Sequence, residues 1–489
     1  MWWLIPVLLI LALGALIGAC VYKARQIAPT EALKACPPTV DVSRAVKYGE
    51  KLSRMVQFPT VSSRFDQDME PFYAFRESLK ELFPRVYEKC RVSYPGDAIL
   101  VHLPARGKAV NEPILLMSHH DVVAAGEEGW NHGPFSGDVD EQGAVWGRGT
   151  VDTKGCLMCE MQALEELLEK GWEPEADVYI ASSCTEEWSG PSAPEVVEYL
   201  KEKGVHLGML VDEGGMILQE PIAGVKGRYC MVGVLEKGYG DVKFIARGKG
   251  GHASAPGKNT PLVRLAKLMC SIERFSPFKA QITPTVEEMF TRLMPNMDFP
   301  LKLVFANLPV FGPLLKKVMP YISPAAAAMM QTTCAFTTAR GADGLNILPT
   351  EAYVTANLRF IHHQANEETM ALLEKRAKRF NVDMEIIYQD SPCKVVDHTA
   401  RPFRMLEEVA HQVYPGYGVV PYVMTGGTDA KFYNDICENC LRFAPIEINK
   451  QQYESIHSYN ENVDSAALVP AVDFFSLLLQ KWCVSELDE

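Results

Sequence analysis

The chain has 489 residues, of which 47% are hydrophobic and 22% charged, with a net charge of −13. It is about three times as long as a typical domain and has the composition of a globular protein, which excludes wholesale disorder and a polytopic membrane protein. Its acidic balance, without a basic stripe, argues against nucleic acid as a partner. The 13 cysteines follow no framework spacing, which argues against a disulfide scaffold and favours a reducing compartment.

An uncharged apolar run occupies residues 2–22. A helix of that length spans about 30 Å, enough to cross a bilayer core. Residues 1–27 are therefore predicted to be an N-terminal transmembrane helix that anchors the protein in a membrane. A cleaved signal peptide, or lipoprotein processing before Cys20, are the alternatives. Because Lys23 and Arg25 follow the run, the positive-inside rule favours a cytoplasmic location for the rest of the chain.

A proline-containing stretch of mixed polarity, residues 28–42, is predicted to be a linker. From residue 43 onward, short apolar runs alternate with helical patterns: strands are predicted at 98–103, 113–117, 178–181 and 207–211, and a helix at 156–170. This alternation predicts an α/β domain with a mainly parallel central sheet and helices on both faces. Residues 43–237 form its first part, and residues 393–489 return to it.

A second unit is predicted for residues 238–392. Strands at 242–246, 351–360 and 384–388, with helices from 260 and at 367–380, indicate a small two-layer α+β domain inserted into the first. Residues 275–331 are rich in Pro, Phe, Met and Leu. We interpret them as extra core of the inserted domain, with an apolar wall near the substrate or the membrane as the alternative.

Acidic and imidazole side chains come directly after the predicted strands, within a glycine-rich loop, and near the end of the chain. They are His119, Asp121, Asp152, Glu186, Glu187, Asp212, Glu213 and His457. Sites in open parallel sheets lie beyond the carboxyl ends of the strands, so several of these side chains are expected to meet at one edge. Carboxylates and imidazoles without a cysteine ligand suit a hydrolytic zinc site or a mixed two-metal site.

An ordered set of motifs resembles that of peptidase family M20, which includes aminoacylase and the carboxypeptidase S-like zinc metallopeptidases. The motifs are His119-x-Asp121, Gly149-x-x-Asp152-x-Lys154-Gly155, Glu186-Glu187, Asp212-Glu213-Gly214, Gly251-His252-Ala253-Ser254, Gly426-Gly427-Thr428-Asp429 and His457. The resemblance covers residues 43–479. It is closest to the branch that contains carboxypeptidase S and the N-fatty-acyl-amino-acid hydrolase/synthases.

This resemblance implies a zinc-peptidase catalytic domain with two Zn²⁺ per chain, for which Co²⁺ or Mn²⁺ could substitute. The implied metal ligands are His119, Asp152, Glu187, Asp212 and His457. Asp152 would bridge the ions, and the peptide bond after it is expected to be cis. Glu213 is the alternative to Asp212, because the two are adjacent and some relatives use Glu.

Other roles are implied by the same resemblance. Glu186 would be the general base, and Asp121 would hold the ring of a ligating histidine. His252, in the inserted lid or dimerisation domain, would reach the partner's site in a possible homodimer and stabilise the oxyanion. Arg359 would pair with the substrate carboxylate, and Asn346 would lie near the substrate.

The predicted function is that of a dinuclear zinc hydrolase. It would cleave the amide bond of small peptides with a free C-terminal carboxylate, or of N-acyl amino acids, by metal-activated water with a Glu general base. Alternatives are N-fatty-acyl amino acid synthase/hydrolase as the specific activity, or a non-catalytic receptor or scaffold that retains the fold. A degenerate binding module is expected to lose a ligand or the base, whereas here every such position is occupied, which favours the enzyme.

Overall fold

Residues 4–126 and 128–484 are described by the structure, which is a computed structural model. Within these residues the chain forms fifteen α-helices: α1 (Leu4–Gln26), α2 (Val42–Val56), α3 (Glu70–Leu82), α4 (Pro84–Lys89), α5 (Lys154–Glu169), α6 (Ser192–Glu202), α7 (Pro261–Arg274), α8 (Pro284–Leu293), α9 (Phe299–Phe305), α10 (Leu308–Ile322), α11 (Pro324–Met330), α12 (Asn366–Lys378), α13 (Arg401–Val413), α14 (Lys450–Ser455) and α15 (Ser465–Trp482).

The same residues form eighteen strands: β1 (Arg91–Ser93), β2 (Ile99–Leu103), β3 (Ile114–Met117), β4 (Ala144–Trp146), β5 (Val178–Ser182), β6 (Met209–Asp212), β7 (Ile217–Gln219), β8 (Arg228–Glu236), β9 (Gly238–Arg247), β10 (Gly251–His252), β11 (Thr333–Arg340), β12 (Ile347–Leu348), β13 (Glu351–Phe360), β14 (Asp383–Gln389), β15 (Gly418–Met424), β16 (Cys440–Arg442), β17 (Glu447–Ile448) and β18 (Asn462–Asp464).

Ten of these strands form the central sheet, in the order β1-β2-β5-β3-β6-β16-β8-β7-β17, with β15 paired to β8. The run β5-β3-β6-β16 is parallel, whereas β1 and β2 are antiparallel additions at one edge. Every residue of β3 and β5 is buried, as expected for strands covered on both faces. Helices α2, α5, α13 and α15 cover one face, and α6 covers the other. The predicted fold class is confirmed.

A separate antiparallel sheet, β11-β13-β9-β14, lies between β8 and α13 in the chain. Alternate residues of β13 are buried beneath α7 and α12, which gives this unit two layers. We call β9–β14 with α7 and α12 the lid domain. Its sheet begins at Gly238, two residues after β8 ends at Glu236.

Helices α8 to α11, which we call the helical insertion, lie within residues 275–331. Their packing differs from the packing that we predicted for this segment. Their apolar side chains pack mainly against the central sheet, not in the core of the lid domain. Met289 and Phe290 of α8 share a buried cluster with Tyr229 of β8 and with Val420 and Val423 of β15. The apolar composition predicted burial correctly, but the burying surface is the far end of the central sheet.

Helix α1 is long and apolar enough to cross a membrane, although a signal sequence near an N-terminus has the same properties. Most of its side chains are exposed, but Cys20 and Ala24 are buried, and the carbonyl of Cys20 accepts a hydrogen bond from Nδ2 of Asn307 (3.1 Å). The predicted linker 28–42 is not free, since Ala32 is buried against the central sheet. Trp2, within the predicted span, lies outside the described residues.

Candidate metal centre

Three adjacent parallel strands direct polar side chains to one edge of the central sheet. His119 follows β3, the Glu186-Glu187 pair follows β5, and Glu213 follows β6. Asp152 lies in the loop that leads into α5, and His457 follows α14. Because the carboxyl ends of parallel strands meet at one edge, residues almost 100 positions apart in the chain become neighbours.

Asp152 lies at the middle of the cluster. Its Oδ1 is 2.9 Å from Nε2 of His119, and its Oδ2 is 3.0 Å from Nε2 of His457. The same His457 nitrogen is 3.1 Å from Oε2 of Glu187. Ligand atoms of Asp152, Glu187 and His457 therefore form one compact set, with all separations within 4.8 Å.

A second set of three ligand atoms, also within 4.8 Å of one another, contains His119, Asp152 and Glu213. The structure does not bring Asp212, the residue expected from the sequence, into either set. The Asp212 carboxylate instead accepts hydrogen bonds from the backbone N–H of Glu213 and of Ala430, both at 2.8 Å. Asp212 thus fixes the turn after β6, and its neighbour Glu213 faces the cluster.

Asp121 connects the histidine to the adjacent glutamates. Its Oδ1 is 3.4 Å from Nδ1 of His119, whose ring nitrogen also lies 2.9 Å from the backbone oxygen of Asp121. The two carboxylate oxygens accept the backbone N–H groups of Glu186 and Glu187 at 3.2 Å each. One buried carboxylate therefore orients an imidazole ring and the loop that carries both glutamates.

Burial and hydrogen bonds together shift the pKa values of the cluster. Burial raises the pKa of Glu186 and of Glu213 well above the ordinary range. Burial also acts against ionised Asp152, but hydrogen bonds from His119 and His457 hold the pKa of Asp152 below its usual value. Hydrogen bonds to Asp152 and Glu187 raise the pKa of His457 to about 10. The cluster thus combines several carboxylates with two imidazoles, which is a set of ligands that suits divalent cations. Bound cations would neutralise its negative charge.

A residue that the sequence reasoning missed, Glu461, holds the loop that carries Asp152. Its Oε1 accepts the backbone N–H groups of Gly149, Val151 and Asp152 at 2.9–3.1 Å. Its Oε2 accepts a hydrogen bond from the Arg148 guanidinium at 2.7 Å, and both side chains are buried. In the sequence, Glu461 ends the segment Ile456–Glu461, from which only the histidine was selected as a candidate site residue.

The Asp152–Thr153 peptide bond is cis, as expected.

The lid domain carries the remaining predicted site residues at two separate places. His252 is exposed on β10, with Nδ1 2.7 Å from Oγ of Ser254, and the Asn346 carbonyl accepts the N–H of Ala253 at 2.9 Å. Arg359 lies on β13, where its guanidinium carbon is 4.8 Å from the centre of the Tyr239 ring. The structure thus brings Asn346 close to His252, and it places Arg359 beside the start of β9 instead.

Comparison with known proteins points to one family. Residues 115–481 match the model of Peptidase family M20/M25/M40. The "N-fatty-acyl-amino acid synthase/hydrolase PM20D1" of Mus musculus is 31% identical over 435 residues, which cover 87% of this chain and 86% of that protein. "Probable carboxypeptidase S-like 2" of Dictyostelium discoideum is 29% identical over 453 residues, 89% of this chain and 85% of that protein.

Solved structures share the fold at low sequence identity. The M20 family metallo-carboxypeptidase Sso-CP2 from Sulfolobus solfataricus has a TM-score of 0.66 and 18% identity, over 89% of this chain and 99% of that one. Human carnosine dipeptidase 1 has a TM-score of 0.64 and 13% identity, over 91% of this chain and all (100%) of that one. The fold and the cluster of His and carboxylate side chains define a hydrolase of the metallopeptidase type. The chain belongs to Peptidase family M20/M25/M40.

Proposed function

We propose that this protein is a dinuclear zinc hydrolase of N-acyl amino acids whose acyl group is long and apolar. Asp152 would bridge the two ions, with His119 and Glu213 completing one site and Glu187 and His457 the other. This assignment replaces Asp212 by Glu213 and otherwise keeps the ligands expected from the sequence. It is supported by the two sets of ligand atoms that share Asp152.

Bound zinc ions would lower the pKa of a water molecule and polarise the amide carbonyl. Glu186 would accept a proton from the attacking water and then deliver it to the leaving amine. Asp121 positions this side chain for both steps, because the Asp121 carboxylate accepts the backbone N–H of Glu186 at 3.2 Å. His252, delivered by a lid domain, would donate a hydrogen bond to the oxyanion.

The free carboxylate of the substrate needs a cation, and Arg359 is our candidate. No ion pair to Arg359 occurs within residues 4–126 and 128–484, so its guanidinium is available to an incoming carboxylate. A planar guanidinium binds a carboxylate through two parallel hydrogen bonds. Arg359 would therefore select amides whose leaving part is an amino acid.

The observation that favours an apolar acyl group is a cavity of about 180 Å³ beside the candidate metal centre. One of its lining residues is Gly214, which follows Glu213 in the chain, and the hydroxyl of Tyr422 donates to the carbonyl of that glycine at 3.1 Å. Its wall comes from β7, β8, β15 and the helical insertion, and includes Met216, Leu218, Ile222, Met231, Met289 and Met329. Methionine-rich walls adapt to flexible apolar ligands. The PM20D1 relatives, named for N-fatty-acyl-amino acids, agree with this substrate class.

Hydrolysis of N-acyl amino acids of increasing acyl length tests the proposal. Each buried CH₂ contributes about 0.8 kcal/mol, so kcat/KM should rise roughly fourfold per added CH₂ until the cavity is filled. Ala325→Phe would place a ring in the cavity mouth, since Ala325 lines it from the helical insertion. This variant should lose about tenfold or more in kcat/KM for long acyl groups. Acetyl amino acids are the matched control, because their two-carbon acyl group has almost no apolar surface to bury in the cavity.

The same assays separate the alternatives. Dipeptides hydrolysed faster than every acyl amino acid would favour a carboxypeptidase, the activity named for other relatives. No turnover of either class by the zinc-loaded protein would favour the non-catalytic scaffold. An acyl-length dependence that is unchanged in Ala325→Phe would contradict the role of the cavity.

A further inference from the structure

Helix α10 of the helical insertion has apolar side chains on its outward surface. Its inner side packs on the rest of the insertion through Leu308, Leu315 and Met319. The outward side chains are 37–69% exposed: Val310, Leu314, Val318, Tyr321 and Ile322. Val310, Leu314 and Val318 follow one another at four-residue spacing and therefore form a continuous row on the helix. We call these five residues the outer face of α10.

A helix that is apolar on both its inner and outer sides needs an apolar medium outside. The charges around α10 indicate which medium. Residues 299–330 contain no Asp or Glu, although the whole chain has 61 of them, and their charged residues are Lys302, Lys316 and Lys317. Apolar faces flanked by lysines are typical of helices that lie in the interface of a bilayer, where anionic headgroups attract the ammonium groups.

The position of α10 relative to α1 gives the second argument. Asn307, immediately before α10, donates a hydrogen bond to the Cys20 carbonyl, and the Arg25 guanidinium lies 5.9 Å from the Phe299 ring. The chain after α1 is held as well, because the amide of Asn296 donates to the Thr30 hydroxyl and accepts the Thr30 N–H. The helical insertion is thus fixed to the C-terminal end of the one apolar helix in the described residues that is long enough to cross a bilayer.

That end of α1 is where a membrane surface would lie. Its first charged residue is Lys23, three positions after Cys20, which is about 4.5 Å along the helix axis. If the apolar run enters a bilayer, Cys20 and the start of α10 lie at the boundary between acyl chains and headgroups. The 15 residues of α10 give it a length of about 22 Å.

We propose that the outer face of α10 binds the surface of a lipid bilayer and gives the protein a second membrane contact beside α1. This contact would hold the helical insertion, and with it one wall of the apolar cavity, against the membrane. A second copy of this chain is the other occupant that could cover the outer face.

The test uses the full chain in vesicles of phosphatidylcholine and phosphatidylserine at about a 3:1 ratio, which supplies the anionic surface. Leu314 or Tyr321 is replaced by photoreactive p-benzoylphenylalanine, and after irradiation the adducts are identified by mass spectrometry. Phe65, which is 86% exposed and lies outside the helical insertion, provides the matched control position. We expect lipid adducts at positions 314 and 321 at least tenfold above those at position 65.

The unsubstituted chain provides an independent measurement. Tyr321 is 66% exposed and Tyr73 is 48% exposed, so Tyr321 should be the more readily oxidised by hydroxyl radicals if nothing covers it. In vesicles we expect the reverse order. Lipid adducts no higher than at position 65, or Tyr321 oxidised more than Tyr73, would overturn the proposal. Adducts mainly to a second protein chain would overturn it in favour of self-association. Neither measurement depends on turnover.

Discussion

Asp152 is the one side chain that belongs to both sets of ligand atoms. Its two carboxylate oxygens face different histidines, His119 and His457, so removing it should disrupt both sites at once. We expect the wild type to bind two zinc ions per chain and Asp152→Ala to bind almost none, which elemental analysis after gel filtration would measure. Two retained ions in this variant would contradict the bridging role.

Glu186 should affect turnover without affecting metal. Its carboxylate belongs to neither set of ligand atoms, and its Oε2 lies 3.9 Å from Nε2 of His119. Glu186→Gln should retain both ions and lose about 10²–10⁴-fold in kcat, because the amide cannot accept a proton. If the metal-loaded variant turns over at the wild-type rate, another group is the base.

Substitutions of the adjacent residues Asp212 and Glu213 can be compared to decide which of the two is a metal ligand. We expect Glu213→Gln to lose one ion, because its carboxylate faces His119 and Asp152. Asp212→Asn should keep both ions and lower the free energy of unfolding by about 1–3 kcal/mol, since two buried backbone N–H groups lose a charged acceptor. Elemental analysis and denaturant unfolding distinguish the two, and the opposite pattern would restore Asp212 as the ligand.

The sequence could predict which strand ends carry the site, but not which of two adjacent carboxylates faces it. Four of the five expected ligand side chains meet in the structure, and their roles as ligands stay predictions. The orientation of Asp212 depends on the backbone N–H of Ala430, more than 200 positions away in the chain. Such a contact leaves no local pattern. Glu461 was missed for the same reason, because its partners lie in the loop of Gly149 to Asp152.

At the scale of elements, one buried carboxylate, that of Glu461, supports the loop before α5. Glu461 holds three backbone N–H groups of this loop and also pairs with Arg148. Glu461→Gln should lower the free energy of unfolding by about 3–5 kcal/mol, because it leaves a buried guanidinium without its counter-charge. It should also weaken zinc binding by about 10–100-fold, since the loop that carries Asp152 loses its support.

The matched control is Glu88→Gln, which breaks a pair of similar length with Arg85 on the surface. Exposed ion pairs contribute little, so its unfolding midpoint should equal that of the wild type. Equal stability of the Glu461 and Glu88 variants would contradict the structural role of Glu461.

Several of the regular elements could be predicted from local periodicity. The strands at β2, β3, β5 and β13 were predicted within one or two residues of their ends, because complete burial or strict alternation marks them. The position of the helical insertion could not be predicted. Its apolar pattern indicates burial, but only the assembled sheet of β8 and β15 offers the surface on which α8 packs.

At the scale of the whole molecule, the open question is whether one chain completes its own site. His252 is exposed, and Nδ1 of its ring hydrogen-bonds to Ser254 within the lid domain. If a partner donates this histidine, inactive Glu186→Gln and His252→Ala chains should complement each other when they are co-expressed with different tags. Random pairing of the two chains would give about a quarter of the wild-type activity, because half of the dimers are mixed and each has one complete site.

Purification through both tags in sequence isolates the mixed dimers. Their turnover should then reach about half that of the wild type, while each parent homodimer stays inactive. Mixed dimers that are pure and folded but inactive would show that His252 does not act across the interface.

The chain enters the lid domain after β8 and leaves it before α13 through two segments that lie side by side. The N–H of Cys393 donates to the Glu236 carbonyl at 3.1 Å, and that of Asp390 donates to the Tyr239 carbonyl at 2.8 Å. The helical insertion meets the lid domain at the same end, because Nζ of Lys237 donates to the Gln331 carbonyl at 2.9 Å, so a rotation of the lid would turn about this end, with β9 as the lever. Arg359, paired with Tyr239, lies next to the pivot, whereas the far end of β9 at Arg247 is about 30 Å away. A rotation of about 20° would sweep that end, and with it the β10 loop of His252, through some 10 Å while Arg359 hardly moves. A substrate whose carboxylate is held by Arg359 could thus stay bound while His252 moves towards the candidate metal centre and away from it.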